Sequence, residues 1–344
     1  MPRISHPRSS STPLHEGGEL ALIERIRRRA GGGASTALRL GIGDDCAILR
    51  PRAGEDLLVT TDFSLEGRHF RRDWHSPQSI GHRTLARGLS DLAAMGARPM
   101  AAFLSLALPP AVARDAGWLE GFLDGLLDLA KQHGVPLAGG DTSESPSEQV
   151  LADIILLGSA PRGRALRRSG ARVGDLIYCT GTLGGATAEF AQVQDGRGGK
   201  TQTASSMNPH LFPQPRLAAG QALLRRKLAT ACIDTSDGIS TDLAHLCEAS
   251  GVNAEIDAAS LPLHPLAQQL TQEAAMAAAL HGGEDYELLF TARAATKMPR
   301  KLGGVPLTCI GRVVAKKRRA PQVTLIAADG SRSALAAQGW EHLR

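Results

Sequence analysis

Aromatic residues are scarce in this chain: Trp, Tyr and Phe together make up 3% of 344 residues. Binding of single-stranded nucleic acid relies on aromatic platforms for base stacking, so the net charge of +5 is a weak argument for a nucleic-acid partner. The basic residues are mostly scattered arginines, and the denser groups at 27–29, 162–172 and 316–319 read as solvated faces. Cysteine is also sparse. Cys46, Cys179, Cys232, Cys247 and Cys309 are odd in number, far apart and without a C-x-x-C pair, which argues against zinc and against a disulfide framework. A reducing, cytoplasmic setting is expected. No apolar run approaches the ~18 residues needed to span a bilayer, and MPRISHPRSSSTPLHEGG lacks the apolar segment of a secretory signal. Residues 1–18 are expected to be a disordered tail, with neither membrane nor nucleic acid as a partner.

What the chain does have is apolar content, 42%, and a repeated alternation of short apolar runs with periodic ones. ELALIERIRRRA, SIGHRTLARGLSDLAAMG and DAGWLEGFLDGLLDLAKQHG predict helices, the first stopped by Gly31 to Gly33 and the second by Gly96. DLLVTTDFSLEG, AAFLSLALP, VPLAGGDTS and VLADIILLGSA predict strands. A basic, glycine-bearing connector, PRGRALRRSGARVGD, follows, and then the pattern resets. LIYCTG, ACIDTSDGISTDLAHLCEASG and HGGEDYELLFTA mix strands, loops and helices, and VTLIAADGSRSAL carries an Asp-Gly hairpin signal. Two α/β (α+β) domains are expected, 19–160 and 161–344.

One motif is a decoy. GRGGKT at 196–201 suggests a phosphate-binding loop, but the pattern G-x-x-x-x-G-K-[ST] needs glycine at 194, where Gln194 stands. The stronger signal is a set of acids in glycine-bearing or polar turns at the ends of apolar runs. It comprises Gly43-Asp44-Asp45, Thr60-Thr61-Asp62, Ser90-Asp91, Gly139-Gly140-Asp141, Asp234-Thr235-Ser236-Asp237-Gly238 and Gly282-Gly283-Glu284-Asp285. Any one of these is ordinary turn or capping chemistry. Recurring through both halves, they suggest a carboxylate-lined cleft. Hard cations such as Mg²⁺ bind oxygen ligands and bridge to phosphates, so acids that recruit metal, and metal that recruits phosphate, are compatible with a basic chain. Arg168 reads equally as a solvated connector residue, and His69 as a surface residue near Asp62.

These segments closely resemble the thiamine-monophosphate kinases, a branch of the aminoimidazole ribonucleotide synthetase-like family. LGIGDDCAIL, TTDFSLEGRHF, LARGLSDLAAMGARP, LAGGDTS, GRALRRSGARVGD, IYCTGTLGGA, IDTSDGISTDL, LHGGEDYELLFT and GWEHL stand in family order from about residue 40 to residue 343. The resemblance implies a two-domain fold with mixed sheets flanked by helices, pairing of N-terminal domains in a homodimer, and transfer of the γ-phosphoryl of ATP to thiamine monophosphate. It implies Asp45, Thr60, Thr61, Asp62, Asp91, Asp141, Asp234 and Asp237 as ligands of several Mg²⁺ ions. Gly140, Asp141, Arg168 and Ser236 fall at the nucleotide, and His69, Glu284 and Trp340 at the thiamine phosphate. No residue is expected to act as a general base. The chain departs from the family pattern at Gly88, where asparagine is usual, and at Trp340, where tyrosine is common. Relatives of the same fold with other acceptors are disfavoured: the glycine-rich cysteine segment of a selenophosphate synthetase is missing, and the last residues read EHLR rather than ending in cysteine.

Overall fold

Helix α1 (Glu19–Ala30) coincides with the first periodic segment. The computed structural model describes residues 19–31, 36–196, 207–317 and 322–339. The tail at 1–18, nearly all of the GRGGKT segment and Trp340 therefore lie outside the described residues. Strands β1 (Leu38–Leu40) and β2 (Ile48–Leu49) pair antiparallel across the LGIGDD loop. Then follow β3 (Glu55–Leu65), α2 (Pro77–Ala94), β4 (Arg98–Leu108), the short α3 (Pro110–Ala113), α4 (Ala116–His133), β5 (Leu137–Glu144) and β6 (Leu151–Pro161). The sheet order is β3-β6-β4-β5, antiparallel except for the parallel pair β4–β5.

Local chemistry sets the ends of the two long helices. Ser76 caps α2 by accepting from the Ser79 amide at 3.2 Å, with Pro77 in the first turn. Asp115 caps α4 through the Trp118 amide at 3.0 Å, and Gly134 ends it at φ +62°. Leu85, Leu89 and Leu92 of α2 and Phe122, Leu126 and Leu129 of α4 share one buried cluster with Leu104, Ile154 and Leu156 of the sheet. The helices therefore cover one face. The other face stays open: Leu57, Val59 and Phe63 of β3 are 50%, 61% and 61% exposed. Helices α2 and α4 touch backbone to backbone at glycines. A Cβ on Gly81 would stand 1.9 Å from the Phe122 carbonyl, and one on Gly125 1.8 Å from the Gln78 carbonyl.

Beyond the connector come β7 (Leu176–Thr180), α5 (Gly185–Gln194), α6 (Leu217–Arg226), β8 (Ala231–Asp234), α7 (Ile239–Ser250), β9 (Asn253–Asp257), α8 (Gln272–His281) and β10 (Leu288–Ala292). The chain continues with β11 (Lys301–Leu302), β12 (Val305–Val314), β13 (Val323–Ile326) and β14 (Arg332–Ala334). The sheet runs β14-β13-β9-β12-β7-β10-β8, with β11 paired to β12. The Asp-Gly signal is the β13–β14 turn: Gly330 has φ +80° and Asp329 accepts from the Ser331 amide at 2.8 Å. Leu217, Leu223, Cys232 and Phe290 join the cluster that contains α2 and α4, so the core is continuous across the connector. That continuity fixes α2 against β8 and brings acids from both halves together.

Candidate active site

Two adjoining cavities lie where α2 meets the C-terminal half. The larger, about 630 Å³, is lined by Asp62, His69, Trp74, Arg87, Phe190 and Glu284, among others. The smaller, about 330 Å³, is lined by Thr60, Met95, Arg168, Cys232 and neighbouring apolar residues. Asp91 and Asp234 line both cavities. Strand β3 delivers Thr60 and Asp62, the last turn of α2 delivers Asp91, and the end of β8 delivers Asp234. The Thr60 hydroxyl donates to Asp91, and Ser90 donates to Asp234 at 2.6 Å across the two halves.

Two glycine-bearing loops form the far wall. Glu284 donates its amide to the Ser236 carbonyl at 2.9 Å, Tyr286 to the Thr235 carbonyl at 3.0 Å, and Thr235 to the Glu287 carbonyl at 2.8 Å. A Cβ on Gly283 would stand 2.6 Å from the Ser236 carbonyl, so glycine there permits the close approach. Glu284 and Tyr286 themselves adopt φ +66° and +49°, the left-handed region that costs a non-glycine residue energy and clusters at functional sites. Asp242 accepts from the amides of Asp237 (3.2 Å) and Gly238 (3.0 Å), so capping at the α7 start falls to Asp242 and not to Asp237.

Charge is distributed unevenly. Burial and repulsion from Asp91 push Asp62 up to about 6, against the pull of Arg87. Burial, with repulsion from Asp91, pushes Asp234 up to about 7. Burial likewise raises Asp91, opposed by the Thr60 hydroxyl and Arg168. Glu284 goes the other way. Burial would raise it, but Arg83, His210 and Arg87 hold it well below the usual carboxylate range. The site thus holds three crowded acids with too little positive charge, which is the condition a divalent cation relieves. Among the described residues no three acids, histidines or cysteines converge tightly enough to cage a metal by themselves. Mg²⁺ takes one or two carboxylates and completes its shell with water and substrate phosphates, and Asp62, Asp91 and Asp234 on the cavity wall are donors of that kind.

A pH effect follows from Asp234. Its carboxyl holds a proton up to about 7 in the fold but releases it near 4 in an unfolded chain. Folded stability is therefore lost as pH rises from about 4 to about 7. Burial depresses His75 to about 3 and His82 and His210 to about 4, and this opposes the trend below pH 6.5. The difference between wild type and Asp234→Asn cancels the histidines and reads this carboxylate together with its repulsion of Asp91. In metal-free urea titrations, the variant's stability relative to wild type should improve by about 2–3 kcal/mol between pH 5 and pH 7 and then level off. An unchanging difference would contradict the burial of this charge.

The sequence-derived site residues divide into groups. Thr61, Asp62, His69, Asp91, Asp234, Ser236, Asp237 and Glu284 line the larger cavity, and Thr60 and Arg168 the smaller. Thr61 is exposed and donates to Asp153 at 2.8 Å on the open face of the sheet. Asp45, Asp141 and Gly140 line neither cavity. Asp44 and Asp45 are exposed, with Asp44 accepting the Asp45 amide at 2.9 Å. Asp141 is exposed on β5, in register with Ser105 and, through it, with Asp153. Gly140 has a structural reason to be glycine, because a Cβ would stand 1.8 Å from the Leu104 carbonyl. Gly88, which stands where asparagine is usual in the family, faces the apolar side chains of Leu156 and Ile154 under α2. Arg83, Arg87, Asp153, Asp242 and the Trp74–Phe190 corner, whose rings meet edge-on at 5.8 Å, stand outside the acid-bearing motifs.

The family model described as AIR synthase related protein, N-terminal domain, matches residues 43–160, and the corresponding C-terminal domain matches residues 172–324. Thiamine-monophosphate kinase of Escherichia coli (strain K12) is 42% identical over 309 residues, 87% of this chain and 91% of that protein. Among solved structures, thiamine-monophosphate kinase from Stenotrophomonas maltophilia K279a aligns with TM-score 0.76 at 39% identity, covering 91% of this chain and 97% of that one. AaThiL complexed with AMPPCP and TMP aligns with TM-score 0.72 at 30% identity, covering 97% and 100%. The two-domain fold read from the sequence is the one these matches share, and the chain belongs to the thiamine-monophosphate kinase family of AIR synthase related proteins.

Proposed function

We propose that this chain transfers the γ-phosphoryl of ATP to the phosphate of thiamine monophosphate, giving thiamine diphosphate. The observation that carries the reading is the pair of adjoining cavities with Asp91 and Asp234 on their shared border. The larger, with aromatic and cationic walls, takes the acceptor. The smaller, with Arg168 at its edge, takes the nucleotide's phosphates. AaThiL, 30% identical, has been seen with an ATP analogue and TMP together, which supports two adjacent sites.

Asp62, Asp91 and Asp234, with Thr60, Thr61 and Asp237 beside them, are the residues that would hold Mg²⁺. Bound there, the ions would offset repulsion between two phosphorylated substrates. The acids position this charge-neutralising centre, and Arg168 faces the nucleotide, whereas Ser236, expected at the nucleotide, lies on the wall of the acceptor's cavity. His69 and Glu284 lie where they meet the acceptor. The acceptor phosphate is largely dianionic near neutral pH, so no general base is needed and positioning supplies most of the rate. The open apolar face carrying Leu57, Val59 and Phe63 supports a homodimer through the N-terminal sheet. Among the described residues no helix is long and apolar enough to cross a membrane, in keeping with a cytoplasmic enzyme.

The test is one assay with two acceptors. The protein is mixed with ATP, Mg²⁺ and either thiamine monophosphate or thiamine, and thiamine diphosphate is sought by mass spectrometry. Product is expected from the monophosphate alone. No product from the monophosphate would reject the reading.

A further inference from the structure

Helix α2 carries two arginines one turn apart at the acceptor cavity, Arg83 behind its wall and Arg87 on it. Arg83 is 3% exposed and fully engaged. It donates to Glu284 at 2.8 Å, to the His69 carbonyl at 3.1 Å, and to the His210 carbonyl. Those bonds tie three segments of the cavity wall together, so Arg83 belongs to the scaffold. Arg87 is held loosely. Its Nη2 reaches Asp62 at 3.3 Å, and its Nη1 reaches Glu284 and the Tyr286 hydroxyl, both at 3.4 Å. Its Nε is buried with no hydrogen-bond partner among the described residues.

The Nε and Nη2 of an arginine form one edge of the guanidinium, the edge that grips two oxygens of a phosphate or carboxylate at once. In Arg87 that edge is half used, by one oxygen of Asp62 at long range. A buried cationic donor left unmet is costly, and a two-oxygen anion would satisfy it. Arg87 lines the larger cavity and not the smaller, so the anion belongs to the acceptor, not to the nucleotide. Resting on the kinase reading above, we infer that Arg87 binds the phosphate of the acceptor, exchanging Asp62 for it. Until substrate arrives, the same guanidinium serves as counter-ion to Asp62 and Glu284.

The test compares acceptors with and without the phosphate. Affinities of the full chain for thiamine monophosphate and for thiamine are measured calorimetrically, with Mg²⁺ present, for wild type, Arg87→Met and Arg87→Lys. Arg87→Met should weaken the monophosphate about 30-fold or more and shift thiamine less than about twofold, as expected for loss of a charge-assisted bidentate contact. Arg87→Lys, which keeps the charge but not the fork, should fall between. In turnover assays KM for the monophosphate should rise while KM for ATP holds. Unchanged monophosphate affinity in both variants overturns the inference, as does an equal loss for both acceptors, which would mark a merely structural role. Should wild type fail to bind or phosphorylate the monophosphate, the kinase reading falls, and the inference with it.

Discussion

Asp91→Asn should lower kcat about a thousandfold or more and leave the chain folded. Asp91 sits at the end of α2, lines both cavities and accepts from Thr60. It is one of two acids able to face both substrates. In phosphoryl transfer the protein's contribution is positioning and charge neutralisation, and removing one preorganised electrostatic group of this kind costs about 10²–10³ in rate. An acid shared by donor and acceptor cavities belongs at or beyond the upper end. Asparagine is isosteric and its carbonyl oxygen can keep the Thr60 bond, so packing is preserved. It also removes the charge that repels Asp234 and helps raise it. The metal-free variant should therefore melt no lower than wild type at pH 8. Asp62→Asn should behave in the same way, although it also frees Arg87 from a partner. The checks are steady-state kinetics with ATP and thiamine monophosphate, and thermal melts in a chelator. Turnover within tenfold of wild type in both variants would end the carboxylate-centre model.

The fold was legible where period and punctuation agreed. Helices α2 and α4 each carry an apolar stripe, a cap and a stop, and β3, β4 and β6 are long β-rich runs. Helix α8, QEAAMAAALH, escaped because alanine surrounds it on every side and leaves no stripe to read. Strand β12, VPLTCIGRVV, is interrupted by Pro306 and Gly311. In the sheet, Gly311 sits against the Glu255 carbonyl, which a Cβ would approach to 2.0 Å.

The site was half legible, for a physical reason. Glycine–acid turns look alike in sequence whether they face a cleft or water. Asp62 and Asp234 are carried into the interior by β3 and β8, whereas Asp45 and Asp141 ride on exposed segments. Arg83 and Arg87 went unseen because arginine on a helix normally means a solvated face. Only the packing of the C-terminal half over α2 buries them. Asp242 went unseen because its partners are backbone amides, which sequence does not distinguish.

Gly125→Ala should cost roughly 4 kcal/mol or more of stability, an effect far above that of an ordinary surface change. The new Cβ would lie 1.8 Å from the Gln78 carbonyl oxygen and 2.6 Å from its carbon. Both are backbone atoms, so no rotamer change can relieve the clash and the helices must separate. Separation opens voids beside Leu85, Leu89, Phe122 and Leu126, all fully buried, and overpacked or loosened cores lose stability by both routes. Intrinsic helix propensity works the other way, since alanine is favoured over glycine by about 1 kcal/mol inside a helix. A stabilised variant would therefore show that the contact yields. The functional consequence follows from what α2 carries. Arg83, Arg87, Ser90 and Asp91 all ride on it, so a shift of the helix misplaces the acceptor wall and the shared acid together. Gly81→Ala, which meets the Phe122 carbonyl at 1.9 Å from the opposite helix, should reproduce both losses. The double variant should lose less than the sum, because one separation of the helices relieves both clashes. Urea unfolding of the three variants, read beside kcat, tests this, and strict additivity of two large losses would show that the glycines act independently.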